Sequence, residues 1–500
     1  MRYLELTGMI LTVILSLWLL LFKNKGKPFI FPVVMNTVLL AAHLIVEKPR
    51  WQMGIIYFFA LILLEYVLWA NIRGKEIRIN KVLKGFLTVI AVLLVVLSVI
   101  PPLALPVPRL PEPTGSFPIG SMSFLMEDTS RSEIYTEEEG DFRELMVTVW
   151  YPAQKEKGAK PAPYVVDTQA LGAAIRDGVG VPGFLVGYLS LVKSGVVADA
   201  PLSDDSETYP LLVFSHGLGV SSGFYASIIV ELVSRGYIVA SIDHTYSTIS
   251  TTFPDGRVTN FQTDVENYSD AELAELEAIW SEDIRFVVTQ MEAMNQGVYT
   301  DAFRNRIDTA RIGALGHSFG GGAAYTALFA DERIKAAINL DGSVYGVDPS
   351  LSFESKSFML LTSDDYAAAI RDAESKLISY DELSEEKRKA LEEEGVDRIE
   401  YDEQMGRMVD CMDFLKNVLA EGNLFLRISG TKHYNFSDLA IFSPLVKSMG
   451  MTGSIDGRRG LSIVTGLCGE FFDERLTENA GPRLSEFIRD RSEIVAEALR

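Results

Sequence analysis

A chain of 500 residues with 48% hydrophobic and 23% charged side chains has the composition of an ordered protein, which excludes wholesale disorder. Its formal charge of −21 is unevenly spread: residues 1–110 hold 12 Lys and Arg against 4 Asp and Glu, a surplus of +8, so residues 111–500 carry −29. So acidic a region repels a phosphate backbone and excludes nucleic acid as a partner, while Cys411 and Cys468 fit no zinc spacing and read as buried thiols.

Four apolar runs open the chain, at residues 6–22, 29–46, 51–72 and 85–106. Each is near the ~20 residues that cross a bilayer as a helix. Stretches such as "ILTVILSLWLLLF" and "VIAVLLVVLSVI" have no polar face, so a multi-span membrane region over 1–106 is expected in place of buried helices of a soluble domain. Glu65, inside the third run, is expected against the bundle or near an interface. The first run lacks a small-residue cleavage site and reads as a retained helix. Lys23, Lys25, Lys27, Arg73, Lys75, Arg78, Lys81 and Lys84 fall on one side, against Arg2, Lys48, Arg50 and Arg109 on the other. The more basic side is cytoplasmic, which puts both termini and the large C-terminal part outside the cytoplasm.

"PPLALPVPRLPEPTGSFP" (101–118) is a proline-rich exit, with a linker over 107–118. Beyond it, strand and helix patterns alternate. "ELMVTVWYP" (144–152) reads as a strand, then "YPLLVFSHG" (209–217), the helix "YASIIVELVSRG" (225–236) and the strand "YIVASID" (237–243). A long acidic helix over 270–294 precedes the strand "RIGALG" (311–316), a small-residue helix, and the strands "KAAINLD" (335–341), "SFMLLTS" (357–363) and "LFLRISG" (424–430). This order predicts an α/β fold over 119–490, a mostly parallel sheet with helices on both faces.

"GHSFG" (316–320) fits G-x-S-x-G between a strand and a helix, the context that makes the motif specific. In such a turn Ser318 is exposed at a helix N-terminus, and the Phe319 amide points at a developing oxyanion. "FSHGLG" (214–219) is placed to supply a second donor, the Leu218 amide, with Gly217 and Gly219 allowing close approach. Five histidines compete for the role of base. His43 lies in an apolar run, His216 and His244 precede the serine, and His317 adjoins it and should point away. His433, in the loop after the last strand, remains. For the acid, Asp341 ends one strand, and Asp364 and Asp365 follow the next; residue chemistry leaves the three open.

Together "PLLVFSHGLG", "GHSFGG", "NLDG" and "HYNFSDLA", with "PIGSMSFLMED", "VTVWYPA" and "GSIDGRRGLSI", resemble the platelet-activating-factor acetylhydrolase family, the plasma and intracellular type II kind, over residues 115–475. The resemblance implies an α/β-hydrolase fold, Asp341 as the acid, His433 as the base, and Leu218 and Phe319 as oxyanion donors. It also implies calcium-independent hydrolysis of short or oxidised acyl esters of phospholipids, with no cofactor and no metal. The four-run N-terminal region lies outside it. Between Asp341 and His433 the acidic stretch 366–404 exceeds the one crossover helix required, which "MGRMVDCMDFLKNVLAEG" (405–422) supplies, so either a cap over the site or a solvated surface insertion is expected there.

The expectation is therefore a membrane-anchored serine carboxylic-ester hydrolase acting on an ester or phospholipid substrate beside membrane lipid. An amidase or acyltransferase with the same triad, or an inactive hydrolase-fold receptor or scaffold, are the alternatives. The sequence names no protein partner.

Overall fold

The computed structural model describes residues 2–21, 29–73, 81–155, 158, 160–263, 268–375, 377–393, 395–477 and 483–499. The chain divides into two compact units: Met1–Arg109 with Tyr188–Val192 and Phe442–Ser448, and the remainder.

The N-terminal part of the first unit holds α1 (Tyr3–Leu21), α2 (Ile30–Val46), α3 (Gly54–Arg73) and α4 (Lys81–Ala104). Among the described residues one helix, Trp51–Arg73, is long and apolar enough to cross a membrane, whereas Tyr3–Leu19, Ile30–Val46 and Thr88–Ala104 are shorter apolar helices. The expectation of four full spans is thus reduced to one. The limits are local: α2 has 17 residues and stops before Lys48, whose φ is 63°. Pro101 and Pro102, expected in the exit segment, lie inside the last turns of α4. Lys23, Lys25, Lys27, Lys75 and Arg78, on which the orientation depends, lie outside the described residues.

This unit buries polar groups and exposes apolar ones. Glu5, Thr12, Asn36, His43 and Arg50 are buried, while Ile14, Trp18, Phe31, Val38, Phe58, Phe86 and Leu93 are exposed. Arg50 donates to Glu5 at 2.5 and 2.9 Å, and Asn36 donates to Thr12 at 2.8 Å. Glu65, expected against the bundle or near an interface, is exposed and so is not packed in the bundle.

The remaining elements, in chain order, are β1 (Ile119–Ser132), β2 (Phe142–Pro152), β3 (Pro161–Pro163), α5 (Thr168–Val179), β4 (Lys193–Ala198), β5 (Tyr209–Ser215), α6 (Ala226–Ser234), β6 (Ile238–His244), β7 (Ser250–Thr252) and β8 (Val258–Asn260). They continue as α7 (Asp270–Asn295), β9 (Ile307–His317), α8 (Phe319–Ala330), β10 (Ile334–Leu340), β11 (Ser357–Thr362), α9 (Asp364–Ser375), α10 (Glu385–Glu393) and α11 (Arg398–Ala420). The chain ends with β12 (Leu424–Ile428), α12 (Pro444–Ser448, in the first unit), α13 (Gly457–Leu476), α14 (Arg483–Arg489) and β13 (Ile494–Ala496).

One sheet runs β13-β12-β11-β10-β9-β5-β6-β2-β1-β4-β3. Its centre, from β6 through β5, β9, β10 and β11 to β12, is parallel, and β2 and β13 join antiparallel at either side. Parallel strands carry helices on both faces: α7 and α8 pack together on one, α6 and α13 on the other. Every residue of β5 is buried, as a central strand requires. The domain does not stop at residue 490, because β13 covers the edge of β12. Nor is 107–118 a free linker throughout: Thr114 bonds Glu231 and the Phe117 amide donates to the Ser234 carbonyl, both on α6. Cys411 and Cys468 are buried and unbonded to each other.

A buried ion network ties β2 to α7. The Arg143 guanidinium lies 2.8 Å from Asp283 and 3.0 Å from Glu133, and all three are buried. Replacing Arg143 by Met leaves two buried carboxylates short of a counter-charge and should cost about 3–5 kcal/mol. The half-exposed pair of Arg257 and Glu144 gives a control: Arg257→Met should cost about 0–1 kcal/mol. Denaturant unfolding of the two variants checks the contrast.

Candidate active site

The strand β9 ends at His317 and α8 starts at Phe319, so Ser318 is the whole of the turn. Its backbone is left-handed, φ 55° and ψ −125°, a conformation that costs a non-glycine residue about 1–3 kcal/mol. Two glycines make the turn possible. A Cβ on Gly316 would lie 2.1 Å from the Gly320 carbonyl oxygen, and one on Gly320 would lie 2.3 Å from the His216 carbonyl oxygen. The Ser318 amide donates to the Leu340 carbonyl at 2.9 Å, fixing the turn to the end of β10.

The loop after β5 runs beside this turn, since a Cβ on Gly217 would sit 3.3 Å from that of Ser318. The Gly217 carbonyl accepts from the Val220 amide at 3.0 Å and from His216 Nδ1 at 2.8 Å. A trans peptide points its N–H opposite its carbonyl, so the Leu218 amide is turned away from these partners. Among the described residues, the amides of Leu218 and Phe319 have no protein acceptor. The Phe319 amide also opens α8, where the helix dipole favours negative charge.

The loop after β12 carries His433, whose Nδ1 is 2.8 Å from Asp341 Oδ2. Asp341 is nearly sealed at 1% side-chain exposure, against 40% for His433. It too is left-handed, at φ 56°, and its other oxygen accepts from the Ser363 amide at 2.6 Å. Asp364 instead pairs with Arg427 at 2.5 Å and accepts from the Gly430 amide at 2.7 Å. Asp365 faces Lys432 at 3.8 Å. The geometry therefore joins His433 to Asp341 and to neither alternative. A cavity of about 390 Å³ borders the pair, with Tyr366 and Ala369 of α9 on its wall. The first turns of the 366–404 stretch thus line the site's flank.

Sequence reasoning missed how the other histidines work. His244 Nδ1 lies 2.7 Å from Asp283 and its Nε2 lies 2.8 Å from Ser215 Oγ, a second Ser–His–Asp constellation with no exposure at all. Burial is the first of the influences holding His244 down at about 4, so it is neutral near pH 7. Burial opposes ionisation of Asp283 as well, but the Arg143 charge and the His244 bond overcome it and hold the carboxyl far below its ordinary range. Trp280 of α7 stacks on His244 at 3.8 Å and meets Phe319 edge-on at 5.0 Å. The long acidic helix was legible; the use of its inner face as a buttress was not.

The sequence profile of the family described as "Platelet-activating factor acetylhydrolase, isoform II" matches residues 105–278 and 274–481. The chain belongs to this family. It is 31% identical over 250 residues to a protein of Arthroderma benhamiae named "Probable 1-alkyl-2-acetylglycerophosphocholine esterase", covering 47% of this chain and 59% of that one. It is 27% identical over 273 residues to the platelet-activating factor acetylhydrolase of Canis lupus familiaris, covering 49% and 57%. The chain thus spans less than two thirds of the length of these relatives. A ferulic acid esterase from Streptomyces cinnamoneus superposes with a TM-score of 0.56 at 24% identity, over 78% of this chain and 99% of that one, which shows the shared fold.

Behind the site, α7 places Glu277 against α8, where Thr326 donates to it at 3.1 Å. Burial is the leading influence and pushes its carboxyl up to about 7, against the opposing hydrogen bonds of Thr326 and Ser343. The sign follows: a folded value above the ordinary 4.5 means the fold prefers the neutral acid, so that stability is present below about 4.5 and lost as pH rises through about 7. Thermal unfolding of Glu277→Gln beside wild type should show the variant gaining on wild type from pH 4.5 to 7 and keeping a constant lead above that.

Proposed function

We propose that this chain is a membrane-anchored serine hydrolase of carboxylic esters. Ser318 Oγ attacks the ester carbonyl while His433 Nε2 removes its proton. Asp341 holds the Nδ1 proton of the imidazole and balances the cation that forms. The Leu218 and Phe319 amides take the oxyanion, and His433 returns the proton to the departing alcohol. Water, deprotonated by the same imidazole, then cleaves the acyl-enzyme and frees Ser318. The observation that carries this reading is the His433–Asp341 bond of 2.8 Å beside a strained serine turn with two unengaged amides.

The Arthroderma benhamiae relative, named as a 1-alkyl-2-acetylglycerophosphocholine esterase, supports an acyl ester of glycerophosphocholine as the substrate. The first unit supports anchoring: its polar groups face inward and its apolar ones outward, the arrangement a bilayer favours for a helix bundle. The 8-against-4 split of basic residues between the ends of the apolar runs supports placing the hydrolase unit outside the cytoplasm. A tether of this kind raises the effective concentration of lipid esters at the site. Residues 366–404 are proposed as a cap, supported by the place of Tyr366 and Ala369 beside the His433–Asp341 pair.

Hydrolysis of p-nitrophenyl esters from acetyl to dodecanoyl by the full chain in detergent tests the proposal. Ser318→Ala should lower kcat by at least roughly a thousandfold, and Asp341→Asn by about 10⁴-fold. Asp364→Asn and Asp365→Asn should stay within a few-fold of wild type. A wild type no faster than Ser318→Ala would end the esterase reading, and equal losses in the three carboxylate variants would end the assignment of Asp341.

A further inference from the structure

His317, beside the nucleophile, and Tyr225, just before α6, have no part in the chemistry above, yet both are almost wholly buried within the site. The Gly217 amide donates to Tyr225 Oη at 3.0 Å. Tyr225 Oη lies 2.8 Å from His317 Nδ1, and His317 Nε2 lies 3.0 Å from the His433 carbonyl oxygen. One arrangement of protons satisfies all three contacts. The amide N–H can only donate, so Tyr225 accepts from it and directs its own proton to His317 Nδ1. That nitrogen is then bare, Nε2 carries the ring proton, and the His433 carbonyl accepts it. Burial is the first cause that keeps His317 neutral, as this tautomer requires.

The two ends of this chain matter most. One is the peptide next to Leu218, the proposed oxyanion donor; the other is the backbone of His433, the proposed base. The middle link is the residue preceding Ser318. A Cβ on Gly217 would fall 2.9 Å from Tyr225 Oη, 3.0 Å from His317 Nδ1 and 3.3 Å from the Ser318 Cβ, so all four groups meet at one point. The His317 and His433 rings also pack at 4.5 Å. A second tie runs in parallel, because Asp438, five residues beyond the base, accepts from the Ser227 amide at the start of α6 and from Tyr164.

We infer that Tyr225 and His317 are positioning residues, which lock the oxyanion loop and the base loop into one register about Ser318. The inference rests on the proposed triad. Neither residue touches substrate; each acts through groups that do. A displacement of about 1 Å in such a group can cost ~10²-fold in rate, so the register has a kinetic signature.

The test measures kcat and KM for p-nitrophenyl butyrate on the full chain, with thermal midpoints. Tyr225→Phe removes one oxygen and should lower kcat at least tenfold with KM within about twofold. His317→Leu should do the same, and the double variant should be little worse than either, since both break one chain. His317→Gln presents an acceptor and a donor on one planar group and should recover most of the loss. A Tyr225→Phe enzyme with full kcat overturns the inference, as do multiplicative losses in the double variant or Gln as damaging as Leu. If His317→Leu fails to fold, Tyr225→Phe and His317→Gln still decide. All rates are taken relative to wild-type activity that Ser318→Ala abolishes. Absence of that activity defeats the esterase reading, a result separate from any ranking among the variants.

Discussion

The left-handed backbone of Ser318 is the constraint on which the rest of the site depends. It exists because β9 and α8 meet with one residue between them, and because neither Gly316 nor Gly320 has a Cβ to obstruct their approach. The strain, about 1–3 kcal/mol, is small beside the burial of α8, whose residues from Gly320 to Phe329 are all enclosed. The other groups of the proposed site are arranged about this turn: Asp341 follows the strand whose Leu340 carbonyl holds the Ser318 amide, and the proposed oxyanion loop follows the strand on the other side of β9. Asp341 is itself left-handed. Two strained residues thus mark the proposed nucleophile and the proposed acid, and both lie at the ends of adjacent parallel strands.

Two Ser–His–Asp constellations in one domain show that the residue types do not by themselves make chemistry. In the buried one, His244 is within hydrogen-bond distance of both Ser215 and Asp283, but no surface of any reaches solvent and Arg143 already neutralises the aspartate. That set braces the end of β5, beneath the proposed oxyanion loop. In the other, the aspartate is sealed while the histidine is 40% exposed, which leaves a ring edge free to exchange protons with a visitor. Access separates the two, together with the direction in which charge is compensated.

Much of this was legible in the sequence. The G-x-S-x-G motif between a strand and a helix located Ser318, because only glycine tolerates those close approaches, and chain order selected His433. The acid was not separable by residue chemistry, since Asp341, Asp364 and Asp365 all follow strands; what separates them is Arg427, on β12, which occupies Asp364 from a distance no periodicity encodes. The edge strands β3 and β13, and β4 beside β3, were missed because three to six residues carry little pattern. In the first unit the apolar runs were plain, but the end of α2 before the left-handed Lys48 and the continuation of α4 through Pro101 and Pro102 are effects that composition does not convey. The roles of His244 and His317 were invisible for the same reason as that of Arg427: they are made by partners far away in the chain.

The central claim is that Ser318 is the activated nucleophile of this fold. The most direct measurement is the stoichiometry and site of labelling when the full chain reacts with a fluorophosphonate, read by intact mass and peptide mapping. The account predicts one equivalent on Ser318, at a rate that falls steeply in His433→Ala. No adduct on a folded chain, or an adduct at another serine with Ser318 unmodified, would contradict it.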